Sequence, residues 1–311
     1  MKKIFNLIVS FVLLAGFSAC NKDGSDKPGL PPAPVPTVNY KGLTFISSGN
    51  SIVCLAKVGA PDEITLEYST DESQWNPYTI GEKISLADGT FLLFRAGDQK
   101  NLTFSKGSDS YYHFEISGPV TAQGNIMSLL DRDFSTPLST NAFFALFEGC
   151  KSLLSAPELP AKALAYNCYG RMFKGCSALT YVPDLPATEM RVYCYNNMFA
   201  NCTSLKFAPE LPATRLDMGC YHCMFEGCTS LTSAPELPAT ELVSNCYEFM
   251  YKDCRNLRYV IGLFTTEPSE KTTKDWLCGV AASGTFIKSK KATWDVTGAD
   301  GVPEGWKIET W

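Results

Sequence analysis

Histidine, a frequent general base and metal ligand in proteins, is almost missing from this chain. It occurs twice in 311 residues, as His113 and His222. Neither lies in a recognisable nucleophile, general-base or metal motif. The glycines of 124–127 and 298–301 also lack the strand, loop and helix context of a phosphate-binding turn. We therefore expect a protein that is not an enzyme and that uses no metal or other cofactor.

Basic residues are outnumbered by acidic ones. The chain has 27 Lys and Arg against 32 Asp and Glu, and its formal net charge is −5. Proteins that bind nucleic acids neutralise phosphates with clustered Lys and Arg, which an acidic chain supplies poorly. No nucleic-acid partner is expected.

The N-terminal apolar run, residues 7–17, is too short to span a membrane. Lys2 and Lys3 precede this run and small residues follow it, which predicts an export signal over residues 1–19. The signal ends in F-S-A-C, which resembles the lipobox of bacterial lipoproteins and implies that Cys20 is acylated. A plain signal peptide cut near Ala19 is the alternative. Residues 20–38 carry five prolines and predict a semi-rigid tether between the acylated cysteine and the folded part.

No insertion interrupts a 26-residue repeat that begins near residue 142. One cysteine row is Cys150, Cys176, Cys202, Cys228 and Cys254, and a second is Cys168, Cys194, Cys220 and Cys246. The string A-P-E-L-P-A (156–161) returns in the same register three more times, once as V-P-D-L-P-A. A period of about 20–29 residues with a leucine frame is the range of leucine-rich solenoids.

Each repeat predicts two local structures. Apolar residues such as Leu153, Ala156 and Leu159 recur at spacing 0, 3, 6, which suits a short inward-facing strand kept short by two prolines. The segment C-Y-x-x-M-F-x-G-C places apolar residues four apart and predicts a short helix. That helix would end at Gly175 and its equivalents, residue types that accept a left-handed C-terminal cap.

This pattern resembles the BspA-like leucine-rich repeats of surface lipoproteins from Gram-negative anaerobes of the Bacteroides type. The resemblance covers residues 142–263 and is most specific in M-F-x-G-C-x-S-L-T-x-A-P-E-L-P-A-T-x-L (224–242). It departs at both ends, where Ala142 replaces the second-row cysteine and Phe264 replaces the second proline. The resemblance implies a protein-binding or adhesion role at the cell surface.

The expected fold is therefore an α+β solenoid of 26-residue leucine-rich repeats, preceded by an antiparallel β-sandwich. Short apolar strands with turn signals place the sandwich at residues 39–130. The solenoid follows at 131–280, and residues 281–311 form a C-terminal β cap.

Nine of thirteen cysteines belong to the two repeat rows. Cys168 and Cys176 would lie about 12 Å apart along a helix, beyond the reach of a disulfide, and the first row has an odd number of members. We expect buried free thiols. The alternative to free thiols is a zinc site. Only Cys220 and Cys223 with His222 beside them approach a zinc-ligand pattern.

A candidate binding strip follows from positions that vary inside the strict repeat. Its aromatic members are Tyr181, Phe207 and Tyr259, and its acidic members are Glu158, Asp184, Glu210 and Glu236. Charge rows usually mean only a solvated face, whereas exposed aromatics beside them could anchor a protein ligand. The predicted protein is an outer-membrane lipoprotein at the cell surface, or on its periplasmic face, that binds a host or bacterial protein. The alternatives are a glycan-binding lipoprotein of a polysaccharide-uptake system, with Trp75 or Tyr78 on the sugar, and a structural envelope protein.

Overall fold

The structure is a computed structural model that describes residues 40–311. The export signal, Cys20 and the tether predicted for residues 20–38 lie outside the described residues. In chain order the strands are β1 Leu43–Ser47, β2 Ser51–Val58, β3 Leu66–Ser69, β4 Asn76–Pro77, β5 Lys83–Leu86, β6 Phe91–Ala96, β7 Ser105–Gly107, β8 Ser110–Ser117, β9 Val120–Gln123, β10 Leu153–Ser155, β11 Ser233–Leu237, β12 Tyr259–Gly262, β13 Thr285–Lys288 and β14 Lys307–Thr310. A 3₁₀ helix spans Ile126–Leu129, and one short α-helix, α1, spans Glu270–Thr273.

The N-terminal part consists of two sheets whose strands pair antiparallel, except that β10 joins the edge of one sheet in parallel with β9. That sheet has the order β10-β9-β1-β6-β3-β4, and the other has the order β5-β2-β8-β7. Phe45 of β1 and Phe94 of β6 contact Phe114 of β8, with ring centroids 5.0 and 5.6 Å apart. The apolar faces of the two sheets therefore meet, and the predicted antiparallel region is confirmed.

The C-terminal part is a β-solenoid, and the inward rows of the repeat are where the sequence predicts them. Leu153, Leu179, Leu205, Leu231 and Leu257 have no exposed surface. The leucines of the L-P turn, Leu159, Leu185, Leu211 and Leu237, are also buried. The solenoid architecture is thus confirmed from the apolar register.

The predicted helix in each repeat is wrong. In the segment 165–176, backbone N–H groups donate hydrogen bonds alternately within one coil and to the next coil. Met172 N–H bonds to Tyr169 O, whereas Phe173 N–H bonds to Met198 O of the next coil. Positive φ values recur every fourth residue, at 50° for Asn167, 56° for Arg171 and 77° for Gly175, which a right-handed helix does not allow. The segment is a series of tight turns, each four residues long, and a period of four is easily mistaken for the helical 3.6.

Short strands form in only some repeats. β10 lies in the first repeat and β11 and β12 lie in the last two, whereas no strand is assigned between them in the described chain. Ser155 and Tyr181 still make an isolated parallel bridge. At the C-terminal end β12, β13 and β14 pair in parallel, so residues 281–311 extend the solenoid sheet by two parallel strands rather than by a hairpin.

Two columns of aromatic rings run through the solenoid core. One stacks Phe147, Phe173, Phe199, Phe225 and Tyr251, with centroids 5.3–5.6 Å apart. The other stacks Phe143, Tyr169, Tyr195, Tyr221, Tyr247 and Trp276. The first column begins inside the N-terminal sheets, because Phe114 of β8 stacks on Phe147 at 5.1 Å. The sandwich therefore acts as the N-terminal cap of the solenoid.

The nine cysteines of the two rows are buried and carry free thiols. Three other described cysteines are also free: Cys54 and Cys223 are buried and Cys278 is exposed. Burial is the main cause that raises the pKa of the row thiols, for example to about 12 for Cys168. Neutral thiols of this kind behave as small apolar side chains.

Candidate functional site

The acidic row of the predicted strip lies at the surface. Glu158, Asp184 and Glu210 are exposed and Glu236 is half-buried. The row starts where the solenoid meets the N-terminal sheets, because Glu158 N–H bonds to Gly124 O at 2.9 Å. The parallel repeat register keeps the acids on one side of successive coils.

The aromatic row lies beside these carboxylates. Tyr181, Phe207 and Tyr259 are all half-buried, so part of each ring faces solvent. The pKa of Tyr181 is raised by burial and then by the charges of Asp184 and Glu158. The charges of two carboxylates, one from its own coil and one from the preceding coil, therefore act on the Tyr181 hydroxyl.

Tyr259 has a different acidic neighbour. Its pKa is raised by burial and then by Glu309 of β14, a residue that the repeat pattern does not contain. Because β13 lies between β12 and β14, the charge of Glu309 acts on Tyr259 across one intervening strand. Sequence reasoning missed Glu309, since only the fold places β14 in the same sheet as β12.

Phe207, like Tyr181, lies in a coil that forms no strand in the described chain. Pro209 and Pro212 flank it on the C-terminal side and cannot donate to a ladder. The structure thus brings Tyr181 together with Glu158 and Asp184 and places Phe207 and Glu210 in the next coil. Tyr259 lies two coils further on, in β12, and β13 separates it from β14.

The second candidate is a group on the turn side of the solenoid, called here the His222 cluster: Asn196, His222, Cys223 and Glu248. His222 Nδ1 lies 3.1 Å from Asn196 Oδ1, and His222 Nε2 lies 3.6 Å from Glu248 Oε2 and 3.8 Å from Cys223 Sγ. Asn196, His222 and Glu248 are 26 residues apart and occupy equivalent positions of three successive coils. The repeat register could have found this group, although the sequence pointed instead to Cys220.

Cys220 does not belong to this cluster. It is fully buried in the second cysteine row, whereas Cys223 is at a left-handed turn position with φ 54°. Burial, with Glu226 as the next cause, raises the pKa of Cys223 to about 12. A thiol with so high a pKa is not a nucleophile at neutral pH. Among residues 40–311, no three His, Cys, Asp or Glu side chains are spaced to hold a metal ion as they stand.

The sandwich aromatics named for sugar stacking are largely occupied. Tyr78 is buried, and its hydroxyl accepts from Leu55 N–H at 2.8 Å and donates to Glu82 O at 2.6 Å. The ring of Trp75 is half-buried and covered by the Arg95 guanidinium, 3.8 Å from the ring centroid. Arg95 is in turn held by Glu67 at 2.7 Å. One face of Trp75 is therefore already used by the protein itself.

In the described part of the chain, no helix has the length and apolar character needed to cross a membrane. Comparisons with protein-family models, with curated proteins and with solved structures find no match to this chain.

Proposed function

We propose that this protein is a lipoprotein of the outer membrane that resembles the BspA-like leucine-rich repeat proteins and binds a protein ligand at the cell surface. Cys20 would carry the lipid, and residues 20–38 would hold the folded part away from the membrane. The solenoid architecture, the leucine frame and the F-S-A-C sequence support this proposal.

The observation that carries the binding role is the surroundings of Tyr181. Its ring is partly exposed at a position that varies inside a strict repeat, and the charges of the exposed Asp184 and Glu158 raise the pKa of its hydroxyl. Aromatic side chains with adjacent charges are typical anchors of protein interfaces. A basic or mixed protein surface would complement the negative charge of this strip.

Two surface depressions in the described part of the chain are smaller than usual small-molecule pockets. Two depressions have volumes of about 180 and 170 Å³, one of them lined by Ile52, Cys54 and Glu115 and the other by Asp98, Asp131 and Arg132. Small-molecule pockets usually have about 300–1,000 Å³. The glycan alternative now depends on Trp75, because the hydroxyl of Tyr78 is engaged inside the protein.

The test begins with the full chain probed against an array of matrix proteins, bacterial surface proteins and glycans. Retention of a protein ligand supports the proposal, and retention of glycans alone supports the alternative. Affinity for the retained protein is then measured for Tyr181→Ala with Phe207→Ala, and separately for Asp184→Asn with Glu210→Gln. Each pair should lower affinity at least about tenfold.

The control pair is Glu267→Gln with Glu304→Gln. Both residues are exposed and lie outside the strip, and the pair changes the net charge by the same amount as Asp184→Asn with Glu210→Gln. An equal effect of the control pair would indicate a general charge effect. Unchanged affinity in both strip variants, with the fold intact, would move the binding site away from the repeats.

A further inference from the structure

The His222 cluster joins two coils through three side chains with metal-ligand chemistry. His222 and Cys223 come from one coil and Glu248 from the next. The side chains of His222 and Glu248 are 25% and 13% exposed, so the group lies just below the surface and can be reached from solvent. This cluster plays no part in the binding role proposed above.

The distances in the cluster are close to those that a zinc ion imposes. With ordinary bond lengths in a tetrahedral site, neighbouring nitrogen, sulfur and oxygen ligands are about 3.3–3.6 Å apart. His222 Nε2 is 3.6 Å from Glu248 Oε2 and 3.8 Å from Cys223 Sγ. Both distances are wider than those of a closed site by a few tenths of an ångström, and among residues 40–311 no three such side chains are spaced to hold a metal ion as they stand. Zinc binding therefore requires these side chains to move closer together.

The neighbours of the cluster orient its ligands. The amide oxygen of Asn196 lies 3.1 Å from His222 Nδ1, so an N–H on Nδ1 can donate to it and leave the lone pair of Nε2 free. Asn245 Nδ2 donates to Glu248 Oε2. Metal-binding histidines and carboxylates are commonly held in this way by a second layer of hydrogen bonds.

We propose that His222 Nε2, Cys223 Sγ and Glu248 Oε2 bind one Zn²⁺ ion that links two adjacent coils. On binding, the thiol of Cys223 loses its proton to solvent, and the zinc–sulfur bond replaces the S–H bond. Glu226, which lies near Cys223, or a water molecule supplies the fourth ligand. Zinc is favoured over magnesium or calcium because the set contains a thiolate and an imidazole.

The experiment uses the full chain with Zn²⁺ alone, followed by Co²⁺ as a spectroscopic probe. We expect one Zn²⁺ per chain, release of a proton, a higher Tm, and a cobalt–thiolate absorption band in the near ultraviolet. The chain offers a matched variant: His222→Asn with Cys223→Asn gives this coil the residues of the preceding coil, Asn196 and Asn197. Asn197 has φ 54°, so asparagine suits the turn that Cys223 occupies.

The double variant should keep its circular dichroism spectrum, bind Zn²⁺ at least about a hundredfold more weakly and lose the cobalt band. Glu248→Gln and Asn196→Ala should each weaken binding about tenfold to a hundredfold. Cys278→Ser, which removes the exposed thiol, and Cys20→Ser should leave binding and the band unchanged. Absence of stoichiometric Zn²⁺ binding by the wild type would overturn the proposal. So would an undiminished cobalt band in the folded double variant.

Discussion

The thiol of Cys202 donates a hydrogen bond to the carbonyl oxygen of Phe173, 3.2 Å away in the preceding coil. The same oxygen also accepts the N–H of Cys176 from its own coil, at 3.1 Å. Equivalent thiol bonds of 3.0–3.1 Å join Cys150, Cys176, Cys228 and Cys254 to Phe114, Phe147, Phe199 and Phe225. The first cysteine row therefore does more than fill the core, because each thiol also donates a hydrogen bond to a buried carbonyl oxygen.

Removing one of these thiols should destabilise the solenoid. Cys202→Ala loses the bond to Phe173 O and leaves a small cavity in a fully buried site. We expect the free energy of unfolding to fall by about 1–2 kcal/mol, measured by urea denaturation under reducing conditions. Cys278→Ser is the control and should change stability by less than about 0.5 kcal/mol.

The same row makes a labelling prediction. In the native protein a thiol reagent should modify Cys278 and leave the eleven buried thiols among the described residues unreacted. After denaturation without reductant, the nine row cysteines should all react. Failure to label them in the unfolded chain would mean that they are oxidised and that disulfides join the coils.

Alanine substitutions at two glycines with positive φ distinguish the stability cost of backbone strain from the cost of steric overlap. Gly175→Ala introduces a Cβ whose nearest neighbour is 3.8 Å away, so only the left-handed φ of 77° opposes it. Gly219→Ala has a similar φ of 59°, but its Cβ would lie 2.2 Å from Tyr193 Cε1. We expect losses of about 1–2 kcal/mol for Gly175→Ala and a larger loss for Gly219→Ala. Equal losses would show that the Tyr193 ring moves away freely.

Asp131 should control stability in acid. Burial raises its pKa, but hydrogen bonds from Thr136 and Ser135 outweigh burial and hold the pKa well below its ordinary value. A carboxyl with a lowered folded pKa stabilises the protein above its unfolded pKa of about 3.9, and this contribution is lost as the pH falls further.

Asp131→Asn should therefore lower the free energy of unfolding at pH 7 by about 1.5–3 kcal/mol. The difference in the free energy of unfolding between wild type and variant should be smaller at pH 3. Urea denaturation at both pH values measures this difference. Asp133→Asn, at an exposed neighbouring acid, provides the control. A gap that does not change with pH would mean that the charge of Asp131 is not what stabilises the loop.

Membrane attachment is tested by Cys20→Ser, which should move the protein from the membrane fraction to the soluble fraction of a cell lysate. Mass spectrometry of the wild type should find a lipid on the N-terminal cysteine of the mature chain. An unmodified N-terminus would remove the anchor and the tether role of residues 20–38 from the proposed function.

The repeat register could be predicted from the sequence because it depends on side chains that return at one interval. Leu153 and its equivalents are buried as expected, and Gly175, Asn201, Gly227 and Asp253 all have positive φ. The helix could not be recognised as wrong from spacing alone, because inward residues such as Cys168 and Met172 are four apart in both structures. The two structures differ in the backbone of Arg171, which has a positive φ. Arginine has no preference for this left-handed conformation, so the sequence does not reveal it.

The contacts between the N-terminal sheets and the solenoid also could not be predicted from the sequence. Phe114 of β8 supplies the ring and the carbonyl oxygen that a preceding coil would offer to Phe147 and Cys150. Nothing in the strand pattern of β8 indicates this role. For the candidate site, the register placed Asp184 beside Tyr181, but only the pairing of β13 with both β12 and β14 brings Glu309 into the sheet of Tyr259, where its charge raises the pKa of that tyrosine.

Every second N–H of the turn segments points to the next coil, as Phe173 does to Met198, and every first-row thiol points back, as Cys202 does to Phe173. Because each junction repeats the same donors and acceptors, one coil can follow another without a new kind of contact. The spacing between the sandwich and the C-terminal strands is therefore set in whole coils. Adding or removing one coil of 26 residues would therefore change the length of the solenoid, while both ends keep their own structure.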